Sequence, residues 1–224
     1  MPKVYLSPSN QTKNAYAYGS TNEAEQCGRI ADACRIALER SGVTVKLGHM
    51  PSMQEKVRAS DAFGAELHVP IHTNAFNGSV MGTRMFCYNT GKGMAACKAI
   101  FTRVAPLSPG TSENIQVNPK LYEVRVPKAP TAYIECEFHD TVEGARWIVE
   151  NAAAIGEAIA RGICDCFGVT FVESEPPKPA QPEQPAEQKL YRVQVGAFAS
   201  RANAEKMVQR LKEAGFDAFI RQDA

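Results

Sequence analysis

The sequence predicts an α/β fold: a three-layer sandwich with a mostly parallel sheet, followed by a small βαβ half-module at the C-terminus. Two observations lead to this class. Short apolar segments typical of strands alternate with amphipathic helical patterns in the first 170 residues. A run rich in proline, glutamate and glutamine at 173–189 then separates a last strand–helix–strand pattern from the rest. We therefore expect a domain at 1–170, a linker at 171–189 and a small module at 190–224.

The strands of the first domain are predicted from short apolar or alternating runs, at 4–6, 43–47, 67–71, 81–88 and 132–138. The first long helix begins after the N-cap Asn22, with Glu25 as its capping-box partner. The last long helix is predicted to start at Asp140, and residues 106–120 are predicted to be a loop. Ligands of such sheets bind beyond the carboxyl ends of the strands, where His72 lies.

Charge and composition exclude several classes of function. The net charge of +1 favours neither nucleic acid nor an anionic membrane as a partner. No segment approaches the roughly 20 apolar residues of a membrane span. The start, MPKVYLSPSN, has no apolar signal-peptide core, and the seven cysteines lack zinc-type C-x-x-C spacing. We therefore expect a protein made in the cytoplasm, without a signal peptide, that keeps reduced thiols.

Two of the four histidines lie on one predicted strand. His68 and His72 are four residues apart, which separates them by about 13 Å along an extended chain, too far to share a metal ion. His72 lies at the exit of the strand and His68 inside it. His72 is therefore the better candidate for a site, although a structural role remains the alternative reading for any single histidine.

The acidic candidates are Glu23 in the first turn of a helix and Glu135 and Glu137 in the segment AYIECEFHD. A carboxylate between apolar strand residues is costly to bury unless it is paired. Its structural reading is a buried ion pair. Its functional reading is a general base with a raised pKa beside a metal-activated water.

Together these residues resemble a known family, the zinc-dependent N-acetylmuramoyl-L-alanine amidases of the type-3 catalytic family. The resemblance covers residues 3–168 and is carried, in chain order, by NE at 22–23, Arg58, ELHVPIHTNA at 66–75, Gly82 and YIECEF at 133–138. It implies cleavage of the amide between N-acetylmuramic acid and the L-alanine of the peptide stem in peptidoglycan.

The resemblance also implies roles for single residues. Glu23 and His72 match two of the family's zinc ligands, and Glu135 matches its catalytic glutamate. Zinc would lower the pKa of its bound water and polarise the scissile carbonyl. Glu135 would accept the proton of that water and pass it to the leaving amine.

One ligand of the family pattern is missing. The family usually reads Asp-Pro-Gly-His-Gly after the first strand, whereas this chain has SPSNQ at 7–11, with Asn10 in place of the histidine. Three outcomes follow. His139 supplies the missing imidazole, which we expect; Asn10 or Gln11 supplies an amide oxygen; or the domain binds no metal and only recognises the wall.

Two further residues are expected to contact the substrate. Asn74 belongs to the same motif as His72. Arg58 could bind a carboxylate of the acidic peptide stem, although a solvated helix charge is its alternative reading.

The tail segment VQVGAFASRANAEKMVQRLKEAGFDAFI resembles the first half of a SPOR domain, a peptidoglycan-binding module. The usual module is about twice as long. A two-stranded sheet with one helix is marginal alone, so we expect two chains to pair their tails as a homodimer.

These expectations describe a zinc-dependent cell-wall hydrolase, an endolysin or autolysin that reaches the wall through a holin or by lysis. The rivals are a non-catalytic wall-binding protein and a zinc carboxypeptidase acting on the stem peptide. Asn10 favours the non-catalytic rival, because it replaces a strong zinc ligand.

Overall fold

The computed structural model describes residues 1–174 and 193–221. The chain divides into two compact units, Met1–Ser174 and Glu175–Ala224. The first unit contains a six-stranded sheet whose strands are β1 (Lys3–Pro8), β2 (Thr44–Leu47), β3 (Leu67–Asn74), β4 (Arg84–Cys87), β5 (Asn114–Val117) and β6 (Tyr133–Phe138). The predicted linker at 171–189 lies largely outside the described residues.

The sheet has the strand order β2-β1-β3-β6-β4-β5. Strands β2, β1, β3 and β6 are parallel to one another, and β4 pairs with β6 in the antiparallel sense while β5 runs parallel to β4. The expected α/β class with a mostly parallel sheet is therefore confirmed. The carboxyl ends of β1, β3 and β6 meet at one edge, which places SPSNQ, His72 and His139 at the same end of the sheet.

Helices cover both faces of the sheet. The helices of the first unit are α1 (Glu23–Arg40), α2 (Met53–Phe63), α3 (Lys92–Val104), α4 (Tyr122–Arg125) and α5 (Val142–Phe167). Helix α5 packs between α1 and α3 on one face, and α2 and α4 pack together on the other. The main apolar core lies under α1, α3 and α5 and includes Leu6, Ile71, Ile134 and Ile155, all fully buried.

The two long helices begin with side-chain caps, as the sequence predicts for the first of them. Asn22 Oδ1 accepts a hydrogen bond from Glu25 N at 3.0 Å. The cap of α5 is Thr141, whose hydroxyl accepts from Gly144 N at 3.0 Å, and not Asp140. Asp140 instead accepts from the backbone N–H groups of Phe76 and Gly78, which fixes the loop after β3.

Residues 106–120 are not simply a loop. They contain β5, which pairs with β4 at the edge of the sheet. The sequence NIQV alternates polar and apolar residues over only four positions and gives little sign of a strand. The strand is partly buried and is held by its hydrogen bonds to β4.

The second unit contains one described helix, α6 (Arg201–Glu213). The helix of the predicted βαβ module is therefore present, whereas residues 193–198 and 216–221 on either side of it form no strand pairing. A two-stranded sheet without further strands gains too little to hold its ladder, which accounts for the difference. No described helix is long and apolar enough to cross a membrane.

Helix α5 approaches α1 closely because it has a glycine at the crossing. A Cβ atom added to Gly156 would lie 2.5 Å from Ile30 O and 2.7 Å from Ala33 Cβ. Both neighbours are part of α1 itself, so they cannot move aside as a flexible side chain could. The helix pair that positions Glu23 therefore requires glycine at this position.

We predict that Gly156→Ala lowers the free energy of unfolding by about 1–3 kcal/mol through overpacking. Gly28→Ala is the matched control, because its new Cβ would meet only His49 Cε1 at 3.8 Å. That change should stabilise α1 by up to about 1 kcal/mol through helix propensity. Urea denaturation of both variants measures the difference, and equal stabilities would contradict the close-packing explanation.

Candidate active site

His72 and Glu23 meet at the carboxyl edge of the sheet. His72 lies near the end of β3, and Glu23 is the first residue of α1. The Nδ1 atom of His72 is 2.8 Å from Oε1 of Glu23, and the two residues are 7% and 1% exposed. The structure therefore brings together the two zinc-ligand candidates that the sequence separates by 49 positions.

The loop between β1 and α1 surrounds this pair with amides. Asn14 donates to Oε2 of Glu23 at 2.7 Å, and Gln11 Nε2 lies 3.3 Å from Oε1 of the same carboxylate. Burial alone would raise the pKa of Glu23, but the hydrogen bonds and charge of His72 and the bond from Asn14 outweigh it and lower the pKa. Glu23 is therefore held as a carboxylate.

Gln11, and not Asn10, takes the third place beside the pair. Gln11 Nε2 lies 3.4 Å from Nδ1 of His72 as well as next to Glu23. The exposed Asn10 side chain turns away and donates to the backbone carbonyl of Pro51 at 2.6 Å. The side chain next to the pair is therefore that of Gln11, one residue after Asn10, where the family pattern has its histidine.

His139 is held elsewhere. Its Nδ1 atom is 2.9 Å from the hydroxyl of Thr73, and its ring stacks on Tyr16 at a centroid distance of 4.9 Å. Burial lowers its pKa, which favours the neutral ring. Thr73 alternates with His72 along β3 and points to the opposite face of the sheet.

We had expected His139 to join Glu23 and His72, but the structure does not bring it to them. Within residues 1–174 and 193–221, no three His, Cys, Asp or Glu side chains are arranged to hold a metal ion. Amide side chains are not among these four residue types. The third side chain beside Glu23 and His72 is the amide of Gln11.

Glu135 lies beside His72 on the next strand. The two are register partners in the parallel ladder of β3 and β6, so their side chains point to the same face. The Oε2 atom of Glu135 is buried and has no hydrogen-bond partner among the described residues. Burial raises the pKa of Glu135 to about 7; the charge of Glu23 also raises it, while His72 and Arg84 oppose the shift.

A cavity opens beside Gln11 and His72. Its volume is about 280 Å³, and its lining includes Gln11, His72, Tyr122, Glu123 and Tyr133. The ring of Tyr133 stacks on His72 at a centroid distance of 4.7 Å and fixes the plane of the imidazole. The site therefore has room for a substrate next to His72.

The side chains of the two predicted substrate-binding residues take no part in the contacts among Glu23, His72 and Gln11. Asn74 is the last residue of β3, and its Oδ1 accepts from Ala75 N at 2.9 Å. Arg58 is exposed on α2 and takes part in no ion pair between described residues.

A buried polar cluster behind the cavity escapes the sequence analysis. We call it the Glu123 cluster; it consists of Ser7, Lys56, Ser60, His68 and Glu123, all at most 2% exposed. Glu123 accepts from Ser7 at 2.5 Å and lies 3.2 Å from Nε2 of His68, whose Nδ1 is 2.9 Å from Ser60. These bonds fix α4, and with it one wall of the cavity, to β1 and β3.

The charges of the Glu123 cluster support one another. Burial alone would raise the pKa of Glu123, but hydrogen bonds from His68 and Ser7 and the charges of His68 and Lys56 lower it. Burial lowers the pKa of Lys56, whose ammonium group donates to Pro8 O at 2.6 Å. His68 thus has a structural partner, in agreement with the choice of His72 for the site.

We predict that Glu123→Gln lowers the free energy of unfolding at pH 7 by about 1–3 kcal/mol. The neutral amide removes the negative charge that stabilises the buried partners of Glu123. The folded-state pKa lies below the ordinary value of 4.5, so the stabilisation is present above that pH and is lost as pH falls through the lower folded-state value. Denaturation from pH 7 to pH 3 measures it. The exposed Glu143→Gln is the control, and a pH-independent difference would contradict the charge explanation.

Comparison with known proteins gives two family matches. The sequence profile of the N-acetylmuramoyl-L-alanine amidase family matches residues 6–165, and that of the SPOR domain matches residues 176–223. The SPOR match begins 14 residues before the module that we had placed at 190–224. Residues 176–192 and 222–223 of this match lie outside the described residues.

Similar proteins include the sporulation-specific N-acetylmuramoyl-L-alanine amidase of Bacillus subtilis, 22% identical over 98% of this chain and 84% of that protein. Among solved structures, the catalytic domain of the amidase CwlV from Bacillus (Paenibacillus) polymyxa superposes with a TM-score of 0.69 at 15% identity, covering 76% of this chain and 100% of that one. The amidase AmiC2 of Nostoc punctiforme gives a TM-score of 0.64 at 20% identity, with 75% and 97% covered.

The structural matches share the sheet and helices described above, and the family profile spans the residues that build the site. The chain therefore belongs to the N-acetylmuramoyl-L-alanine amidase family, a family of peptidoglycan hydrolases that are generally zinc-dependent, and it carries a SPOR domain.

Proposed function

We propose that this chain cleaves the amide between N-acetylmuramic acid and the L-alanine of the stem at the site of Glu23, His72 and Gln11, with Glu135 as general base. One observation carries the proposal. The carboxyl group of Glu135, whose pKa is raised to about 7, stands in register with His72 and has a buried oxygen without a partner in the described part of the chain. A general base works best when its pKa lies near the operating pH.

The three side chains lie close enough together to hold a zinc ion. Ligands about 2.0–2.1 Å from a tetrahedral zinc stand roughly 3.3–3.4 Å from one another. His72 Nδ1 lies 2.8 Å from Glu23 Oε1, and Gln11 Nε2 lies 3.3 Å from Glu23 Oε1 and 3.4 Å from His72 Nδ1. The ion would separate the hydrogen-bonded His72 and Glu23, and rotation of the Gln11 amide would bring in Oε1, which accepts from Asn14 in this structure. Imidazole and carboxylate are ordinary zinc ligands, and an amide oxygen is a weaker one.

Glu23, His72 and Gln11 would therefore hold the ion, with Gln11 presenting its oxygen. Bound zinc supplies a Lewis acid and lowers the pKa of a coordinated water. This ligand set differs from the expected one, in which His139 was the third ligand. It corresponds to the amide alternative left open by the sequence, with Gln11 in the place of Asn10.

The protein side chains then handle the protons. Glu135 accepts a proton from the attacking water and returns it to the nitrogen of L-alanine as the amide breaks. Tyr133 keeps the imidazole of His72 in one plane, and the Glu123 cluster holds the cavity wall against which the substrate lies. Asn74 and Arg58 remain proposed contacts to the more distant parts of the substrate.

We expect Glu135→Gln to lower the rate of wall hydrolysis by about 10²–10⁴-fold while leaving the fold intact, because the variant keeps the side-chain shape and loses the base. Mass spectrometry of the products checks the reaction. Separated glycan and complete stems support the amidase, whereas a released terminal amino acid indicates the carboxypeptidase. Wall binding without any release indicates the non-catalytic alternative.

We predict that Gln11→Ala lowers zinc affinity by roughly tenfold or more, and that Gln11→His raises it, because imidazole is the better ligand. Asn10→Ala and His139→Ala are controls that should retain zinc. Competition with a chromophoric chelator gives the four affinities. Loss of zinc in His139→Ala with retention in Gln11→Ala would reverse the assignment.

We further propose that the tail directs the enzyme to the wall and pairs with a second copy. Several large apolar side chains of the second unit are exposed, among them Val193, Phe216 and Phe219. A tethered binding module raises the local concentration of the catalytic domain at its substrate. Sedimentation at micromolar concentration should show a dimer that becomes a monomer when residues 190–224 are removed, and a monomeric full chain would refute the pairing.

The seven cysteines agree with release from a reducing compartment. All are free thiols, and six of them are buried. We propose that the enzyme is made with reduced thiols and reaches the wall through a holin or by lysis, as an endolysin or autolysin does.

A further inference from the structure

A row of four polar side chains crosses the sheet from the active site to its edge. His72 on β3 is in register with Glu135 on β6, Glu135 with Arg84 on β4, and Arg84 with Asn114 on β5. Register partners on neighbouring strands point to the same face. We call these four residues the polar row.

Every member of the polar row has a buried polar atom without a partner. Of the eight such side-chain atoms in the described part of the chain, four belong to this row: His72 Nε2, Glu135 Oε2, Arg84 Nε and Asn114 Oδ1. Buried polar groups are normally satisfied, and a run of exceptions calls for a ligand or ordered water. The row therefore has unused hydrogen-bonding capacity that ordered water or a ligand can satisfy.

The outer half of the row faces away from α3. Met85 and Cys87 are fully buried on the α3 side of β4, so Arg84 alternates onto the other face, where α2 packs against β1 and α4. The guanidinium of Arg84 lies over the ring of Phe138, at 5.1 Å from its centroid. Arg84 is partly exposed, as is Asn114.

Arg84 forms no close ion pair within the described residues, although its charge acts on Glu135. None of the ion pairs between described residues includes it, although Glu135 is its register partner. The nearby Glu137 is already bonded to Gly82 N and to the Ser108 hydroxyl. The guanidinium of Arg84 is suited to an incoming carboxylate, to which the amide nitrogen of Asn114 can also donate.

We infer that Arg84 and Asn114 form a subsite for a free carboxylate of the peptide stem on the L-alanine side of the scissile amide. This inference rests on the proposed function, because it requires the scissile bond to lie at His72 and Glu135. Strands are spaced by about 4.8 Å, so the subsite starts one strand beyond Glu135 and ends two strands beyond it. Two extended residues span about 7 Å, which brings the residue after L-alanine to Arg84.

The test uses two muropeptides that differ only in whether the residue after L-alanine carries a carboxylate or the corresponding amide. The wild-type chain should bind and cleave the carboxylate form better. Arg84→Gln should raise KM for that form by roughly ten- to hundredfold and leave the amide form nearly unchanged, because a charge-assisted bond is lost only with the carboxylate. Arg84→Lys should keep part of the preference.

Arg35→Gln removes a surface cation of α1 and serves as the control that should not alter selectivity. Thermal melting of each variant checks that it is folded. Calorimetric titration with the free stem peptides measures their affinity for the subsite without requiring cleavage. Wall hydrolysis with no change of selectivity in Arg84→Gln overturns the subsite and leaves the amidase standing. Selective peptide binding without any hydrolysis overturns the amidase and leaves the subsite standing.

Discussion

The contact between Glu23 and His72 is the constraint on which the rest of the site depends. It joins the first residue of α1 to the end of β3. Both residues are almost fully buried, and His72 Nδ1 lies 2.8 Å from Glu23 Oε1. A buried carboxylate at this position is stable only because imidazole and amide donors surround it. The close approach of α5 to α1 at Gly156 positions the helix that carries Glu23.

The two faces of the sheet serve different purposes. The face under α1, α3 and α5 is apolar and supplies the core, whereas the face toward α2 and α4 carries polar side chains along β1, β3 and β6. There the Glu123 cluster satisfies its own members and holds the cavity wall. The polar row leaves one buried atom of each member without a partner among the described residues, and it is this second arrangement that we propose for substrate binding.

The sequence predicted the sheet class, the cap at Asn22 and the pairing of Glu23 with His72, because apolar periodicity and family motifs are local signals. It could not identify the third side chain beside this pair. Asn10 and Gln11 are neighbours in the chain, and only the backbone of the loop decides which side chain turns toward His72. Lys56, Glu123 and Arg84 also escaped it, because polar residues on helices and short strands resemble solvated surface until their partners are known.

The most direct test of the central claim is a crystal structure of the zinc-loaded chain, with anomalous diffraction recorded at the zinc edge. The account predicts one strong peak enclosed by Glu23, His72 and the oxygen of Gln11, with Glu135 facing it. A peak bound through His139, or no peak at this end of the sheet in a chain that still hydrolyses peptidoglycan, would contradict it.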